Sequence, residues 1–385
     1  MCSIVQATGP LRYVSPLGRQ GTYNRLHEIV KALLFEPGGR KDRGMMLPRT
    51  PEPAASEGMS RGAAERTKME DIARIAGVSV STVSRALAGS PRVMGDTRAR
   101  IEAAVRQTGY VVNQVAQGLR LQRSRQLLVL LPTIANPFFG EIVQGVEEAA
   151  QAAGYGVLVG STEGNAGREA VLARQLHTGG VDGLILLTGH IPASLEAHVA
   201  RGQVVAVSET IPGQDLPTIG IDNEAAAAVA VLHLRERGHR RIGHIAGPEG
   251  NVLTAQRVRG WRQGMGEGEI APVFGDFTIG SGEVAMQRLL AGAARPTAVF
   301  CANDEMAIGA LKAVRRAGLR VPEDISVVGF DDISFAAFTD PPLTTIRQPR
   351  RAFGHAAVAA LLEGVVPGKL AFELIVRAST AAPAG

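Results

Sequence analysis

The sequence predicts an α/β protein: a three-helix, helix-turn-helix headpiece followed by a two-lobed body of parallel sheet. Three observations carry this. Short apolar runs rich in β-branched residues recur at 127–132, 156–161, 183–188, 204–208, 242–247, 297–302 and 325–330. Amphipathic stretches closed by glycine lie between several of them, at 139–153, 223–237 and 303–317. Such alternation is how a parallel sheet becomes buried on both faces. Charge is the third: residues 60–125 carry +7 and residues 126–385 carry −5, a small basic module on an acidic body. That is the electrostatic footprint of a nucleic-acid reader joined to something else.

Composition bounds the alternatives. At 385 residues the chain predicts two or three domains, and 45% apolar with 20% charged residues fits a folded globular chain. No apolar run reaches the roughly 18–20 residues that cross a bilayer. The first thirty residues show no secretory signal. Cys2 and Cys301 cannot build a disulfide framework or a cysteine-rich zinc site, so the expected compartment is the reducing cytoplasm. His233, His239 and His244 lack metal-ligand spacing and read as core or solvated residues, with no metal expected. No nucleophile elbow or phosphate-cradling loop is visible, so no catalytic residue and no cofactor are assigned.

Residues 1–66 read as a poorly patterned extension, with a short helix at 24–34 and Met59 as the expected natural start. Residues 67–112 read as three short helices. Thr67 and Glu70 have capping-box spacing, and Ile72, Ile75 and Ala76 follow at helical intervals. Gly77 supplies a left-handed turn and Ser79 caps a second helix, Val80 to Leu87, whose inward face is Val83 and Leu87. A third helix near 96–107 offers Ile101 and Val105 to the same core. The outward hydroxyls of Ser81, Thr82 and Ser84 let the second helix approach base edges in a major groove, where Arg85 reaches guanine or phosphate. Residues 113–125 read as a hinge: Val115, Ala116 and Leu119 form a small apolar wedge flanked by Arg120, Arg123 and Arg125, suited to a minor groove. Residues 126–385 read as the two-lobed body, with a ligand expected beyond the carboxyl ends of its strands.

At these residues the chain resembles the lac repressor (LacI) family. The likeness runs from about 67 to 380 through DIARIAGVSVSTVSRAL (71–87), NQVAQGL (113–119), NPFF (136–139), VDGLILL (181–187), GHRRIGHIAGP (238–248), RVRGW (257–261), VPEDISVVGFDD (321–332) and PPLTTIRQP (341–349). The resemblance implies a periplasmic-binding-protein-like effector domain, a homodimer or higher homo-oligomer, and repression at a double-stranded DNA operator. It implies a small-molecule effector, a sugar or nucleoside. The DNA-contacting set is then Ser79, Val80, Ser81, Thr82, Ser84, Arg85, Asn113, Ala116, Leu119 and Arg120, with Leu119 at the intercalating position. The effector set is Phe138, Arg257, Phe277, Asn303, Asp331 and Gln348: Arg257 and Asp331 for paired hydroxyls, the two phenylalanines for an apolar face.

Three departures stand out. Val112 replaces the family's proline before the hinge Asn113. Met94 replaces the serine that caps the third helix, leaving Gly95 or Asp96 to serve. Ser208-Glu209 replaces a common Asp-Arg pair, which removes a ligand-orienting cation. A bland origin exists for several candidates: Asn303 as a helix cap, Asp331-Asp332 as a turn, Phe138 as core, Arg257 as a surface charge. A solute-binding protein for sugar transport is the rival reading, and the basic headpiece argues against it.

Overall fold

The computed structural model describes residues 67–87, 89–110, 123–265 and 271–384. The expected 1–66 extension, its helix and Met59 lie outside these residues, as do Asn113, Ala116, Leu119 and Arg120 of the hinge.

The headpiece is built from α1 (Met69–Ala76), α2 (Val80–Leu87) and α3 (Gly95–Thr108). Its core is Ile72, Ala73, Ala76, Val83, Ala86, Val93, Ile101 and Ala104. Leu87 and Val105 pack at its edge, as their spacing predicted. Ile75 is 41% exposed, contrary to expectation. The buried arc runs from Ile72 through Ala76 to Ala73, and Ile75 lies about 60° beyond Ile72 on the other side.

Gly77 closes α1 at φ 65°, and Ser79 Oγ accepts from Thr82 N at 3.2 Å to cap α2. Two expected caps are corrected. The reciprocal cap on α1 sits one residue later than Thr67 and Glu70: Asp71 Oδ2 accepts from Lys68 N at 3.0 Å. The shorter Asp side chain, placed at the third helical position, reaches back to that amide. Neither Gly95 nor Asp96 caps α3. Met94 holds the cap position in extended conformation without a side-chain bond, and Asp96 meets the positive helix end from the first turn.

The body holds two sheets. The first contains β1 (Gln126–Leu131), β2 (Gly156–Ser161), β3 (Gly183–Leu186), β4 (Val204–Val207) and β5 (Thr218–Ile219), in order β2-β1-β3-β4-β5. Its helices are α4 (Pro137–Ala152), α5 (Ala166–His177) and α6 (Glu196–Val199). The chain then enters α7 (Asn223–Glu236) and the second sheet: β6 (Ile242–Ala246), β7 (Val273–Phe274), β8 (Ala298–Cys301), β9 (Ser326–Asp331), β10 (Thr344–Arg347) and β11 (Glu373–Ile375). Here the order is β11-β10-β9-β8-β6-β7. The helices of this half are α8 (Val252–Met265), α9 (Ile279–Ala291) and α10 (Asp304–Arg316), and α11 (Arg350–Glu363) follows β10.

All neighbours run parallel except β10 and β11, so the expected all-parallel body carries one antiparallel edge. Along β1 the side chains alternate between two cores. Leu127, Val129 and Leu131 enter the large cluster with Phe138, Ile142 and Val205. Leu128 and Leu130 face Ala173, Leu184 and Leu195 on the opposite side. Both faces of the strand are buried, which is why it reads as an uninterrupted apolar run. The large cluster continues through Trp261, Phe300, Phe330 and Phe353 and so joins the two lobes.

The chain passes between lobes three times. It leaves the first after β5. It returns after β10, because α11 packs against α4 and against β3, β4 and β5. It crosses again after α11 to reach β11. The carboxyl ends of both sheets therefore face one cleft with strands and helices fixed on either side.

Candidate functional site

At the cap of α2 and along it, Ser79, Val80, Ser81 and Arg85 are exposed, while Thr82 and Ser84 are half-buried. The expected reading face is therefore presented outward. Arg85 Nε donates to Ser81 O at 3.1 Å and Nη2 to Thr82 Oγ1 at 3.4 Å, which lays the guanidinium along the helix surface.

The interlobe cleft encloses a cavity of about 560 Å³. Five of the six expected effector residues line it: Phe138, Arg257, Phe277, Asn303 and Asp331. Phe138 enters from the first turn of α4, whose cap is Asn136 Oδ1 accepting from Phe138 N at 2.8 Å. Its ring meets Phe139 edge-on at 5.3 Å, and both rings form part of the wall. Asn303 does two things at once. Its Oδ1 caps α10 by accepting from Met306 N at 2.9 Å, and its Nδ2 donates to Phe277 O at 2.9 Å. The cap reading was right, and the same side chain ties down the loop that presents Phe277.

Arg257 is buried, not a surface charge. Nε and Nη2 donate to Asn223 Oδ1 at 3.1 and 3.0 Å, and Nη1 donates to Ala302 O at 2.5 Å. The guanidinium carbon lies 3.8 Å from the centre of the Phe330 ring, a cation–π contact. Nη2 stands 4.0 Å from Asp331 Oδ1. Asp331 closes β9, and burial raises its carboxyl to about 6, against the opposing pull of Arg257 and Gln348.

Gln348 is not on the wall. It stands behind it, with Nε2 donating to Asp331 Oδ1 at 2.7 Å. Asp332 turns away and accepts from Arg347 Nε at 2.7 Å and Arg377 Nη2 at 2.6 Å. Asp304, fully buried beneath, accepts from Ile333 N at 2.9 Å and Thr345 Oγ1 at 2.6 Å. Burial and the neighbouring Asp331 hold its carboxyl well above the usual range.

Sequence reasoning left out several wall residues, Thr188, Asn251, Asp276 and Glu305, and read Ser208 and Glu209, which also line the wall, only as a departure from the family's ligand-orienting pair. Glu209 follows β4 in the first lobe, and Asn251 precedes α8 in the second. Asn251 Nδ2 donates to both Glu209 oxygens, at 3.2 and 3.1 Å, spanning the cleft. Burial raises the Glu209 carboxyl, and also that of Glu305, where Asp331 adds to the effect. Asp276 moves the other way, because the Thr278 and Ser281 hydroxyls stabilise its ionised form. Ser208, Phe277 and Asp331 are non-glycine wall residues at positive φ (72°, 67° and 116°). Backbone strain of this kind concentrates where a ligand is held. The usable signal was positional: each missed residue sits just past a strand end or at the start of a helix.

The three histidines set aside as metal ligands are core groups. His244 stacks on Phe300 with ring centres 4.8 Å apart. His239 Nε2 contacts Ala381 O at 2.8 Å, and His233 Nε2 meets Thr380 Oγ1 at 3.0 Å.

Residues 68–113 match the profile of bacterial regulatory proteins of the lacI family, and residues 231–380 match a periplasmic binding protein-like domain. The HTH-type transcriptional repressor CytR of Escherichia coli (strain K12) is 42% identical over 328 residues, covering 82% of this chain and 96% of the relative. The HTH-type transcriptional repressor PurR of Photobacterium profundum is 35% identical, covering 77% of this chain and 91% of the relative. The lac repressor dimer bound to operator and the anti-inducer ONPF superposes with a TM-score of 0.73 at 31% identity, over 83% of this chain and 100% of that one. A CelR–cellobiose complex superposes with a TM-score of 0.61 at 32% identity, over 82% and 100%.

Proposed function

The chain belongs to the LacI family of transcriptional repressors, and from that premise we propose that its grip on a DNA operator is set by a small polyhydroxylated metabolite, a sugar or a nucleoside, bound in the interlobe cavity. The observation that carries this is the cavity itself. Two aromatic rings, Phe138 and Phe277, and a polar set around Arg257 and Asp331 converge at the carboxyl ends of two parallel sheets. Apolar flats and hydroxyl partners in one pocket suit a sugar or base.

α2 would enter the major groove with Ser79, Val80, Ser81, Thr82, Ser84 and Arg85 toward base edges and phosphates. Asn113, Ala116, Leu119 and Arg120 would engage the minor groove beside it. A second copy of the chain would bring a second headpiece to the same DNA face. Exposed apolar side chains support a partner copy: Leu158 and Val159 on β2, with Phe335 and Phe338 beyond β9. Ligand-driven movement of the lobes would then alter the spacing of the paired hinges, a coupling of about 1–3 kcal/mol between two sites.

The test is a gel shift on the DNA upstream of the protein's own gene, with and without a panel of sugars and nucleosides. Retarded DNA released by one of them is the expected result. Equal affinity for that DNA and for bulk competitor at low salt overturns the reading.

A further inference from the structure

The cavity wall has an unbalanced charge. Glu209, Asp276, Glu305 and Asp331 face a single cation among the described residues, Arg257. That cation is committed. Three of its N–H groups serve Asn223 and Ala302 O, its face lies on Phe330, and Nη2 faces Asp331. It has little left to give an anionic ligand. A phosphate needs forked donors and net positive charge, and like charges brought together in a desolvated site repel strongly.

One corner of the wall differs in kind. Glu209 presents a half-buried carboxylate whose two oxygens are held in place by Asn251 from the opposite lobe. Beside it Ser208 is 8% exposed, and its Oγ is buried without a hydrogen-bond partner. A buried hydroxyl left unpaired is costly and is satisfied when a ligand supplies the partner. The carboxylate accepts only, and the hydroxyl both accepts and donates. Together they fit an uncharged ligand edge bearing hydroxyl or amino hydrogens.

We propose that the Ser208–Glu209 corner, braced by Asn251, is the specificity determinant that admits an uncharged, hydrogen-donating ligand and turns away its phosphorylated form. This rests on reading the cavity as the effector site. Where the family's common pair would offer a cation, this chain offers an acceptor.

Isothermal titration of the full chain with ribose, adenosine, cytidine, guanosine and uridine, each beside its 5-phosphate or 5′-phosphate, tests it. The expected result is at least tenfold tighter binding of the neutral member in any pair that binds. A phosphate that binds equally or more tightly overturns this inference and leaves the effector site standing. No binding by any of the ten compounds overturns the sugar-or-nucleoside reading and this inference with it. In Glu209→Gln the gap should narrow severalfold through a gain on the phosphorylated member; a parallel loss on both members assigns Glu209 a structural role and overturns the inference. Should that variant fail to fold, Ser208→Ala carries the test. It should weaken the neutral compound about tenfold while the phosphate stays weak, and undiminished neutral binding overturns the inference.

Discussion

The Asp182 carboxylate accepts two hydrogen bonds from Ser124, from its amide at 2.8 Å and its hydroxyl at 2.9 Å. The second carboxylate oxygen accepts from Arg125 N at 3.0 Å. Arg125 is held there at φ 53°. These are the last residues before β1, so Asp182 fixes the point at which the chain enters the body. Asp182→Ala should cost about 1–3 kcal/mol, since it strands the donors of a half-buried turn. The urea midpoint measures this, and Asp182→Asn, which keeps an acceptor, should recover part of it. The alanine variant should also show a smaller ratio of DNA affinities without and with ligand, because a loosened entry point transmits less.

Gln348 meets the wall through its hydrogen bond to Asp331. Gln348→Ala should weaken ligand binding about tenfold with a small change in thermal stability, because the carboxylate loses the donor that orients it. Calorimetric affinity set against the melting temperature separates the two effects. An affinity unchanged within a factor of two would remove Gln348 from the site.

His244 makes stability sensitive to acid. Burial lowers its pKa from 6.5 to about 4. Between those values the unfolded chain binds the extra proton and the folded chain does not, so this contribution is whole above 6.5 and is lost as pH falls toward 4. Its limit is roughly 3 kcal/mol. Asp331, raised from 3.8 to about 6, acts with the opposite sign between those values, since its folded form holds the proton more tightly. Comparing wild type with His244→Gln cancels the Asp331 contribution. Going from pH 6.5 to pH 4, the variant's urea midpoint should rise relative to that of the wild type, and equal slopes would exclude His244 as a source.

Leu119 and Arg120 should separate by binding mode. Leu119→Ala should weaken operator binding more than binding to random duplex, because a wedge between base steps acts only at the deformed site. Arg120→Ala should weaken both and reduce the slope of log K against log salt by about one. Fluorescence titrations at several salt concentrations report both quantities.

Local signals were legible and distant ones were not. Gly77, Ser79 and the Val83–Leu87 spacing lie within eleven residues and specify the helix-turn-helix directly. Arg257 and Asp331 could be placed by motif register. Glu209 was legible only as a departure from a ligand-orienting pair; its bond to Asn251, which reaches it from the other lobe, has no signal in the sequence. The cap at Lys68 instead of Thr67 is a one-residue shift that either carboxylate, Glu70 or Asp71, could satisfy on paper. The strands β5, β7 and β11 are two or three residues long. Hydrophobic periodicity has nothing to repeat over such lengths, and only pairing with a longer neighbour defines them.

The return of α11 to β3, β4 and β5 has a genetic corollary. The half of the body translated first is finished by a helix translated after β6 to β10 of the other half, so an emerging chain cannot complete the first half until Glu363 has been made. A stop codon ahead of Arg350 would leave both halves of the body with unfinished interiors, not one sound and one missing. Late nonsense mutations should therefore abolish the protein as thoroughly as early ones.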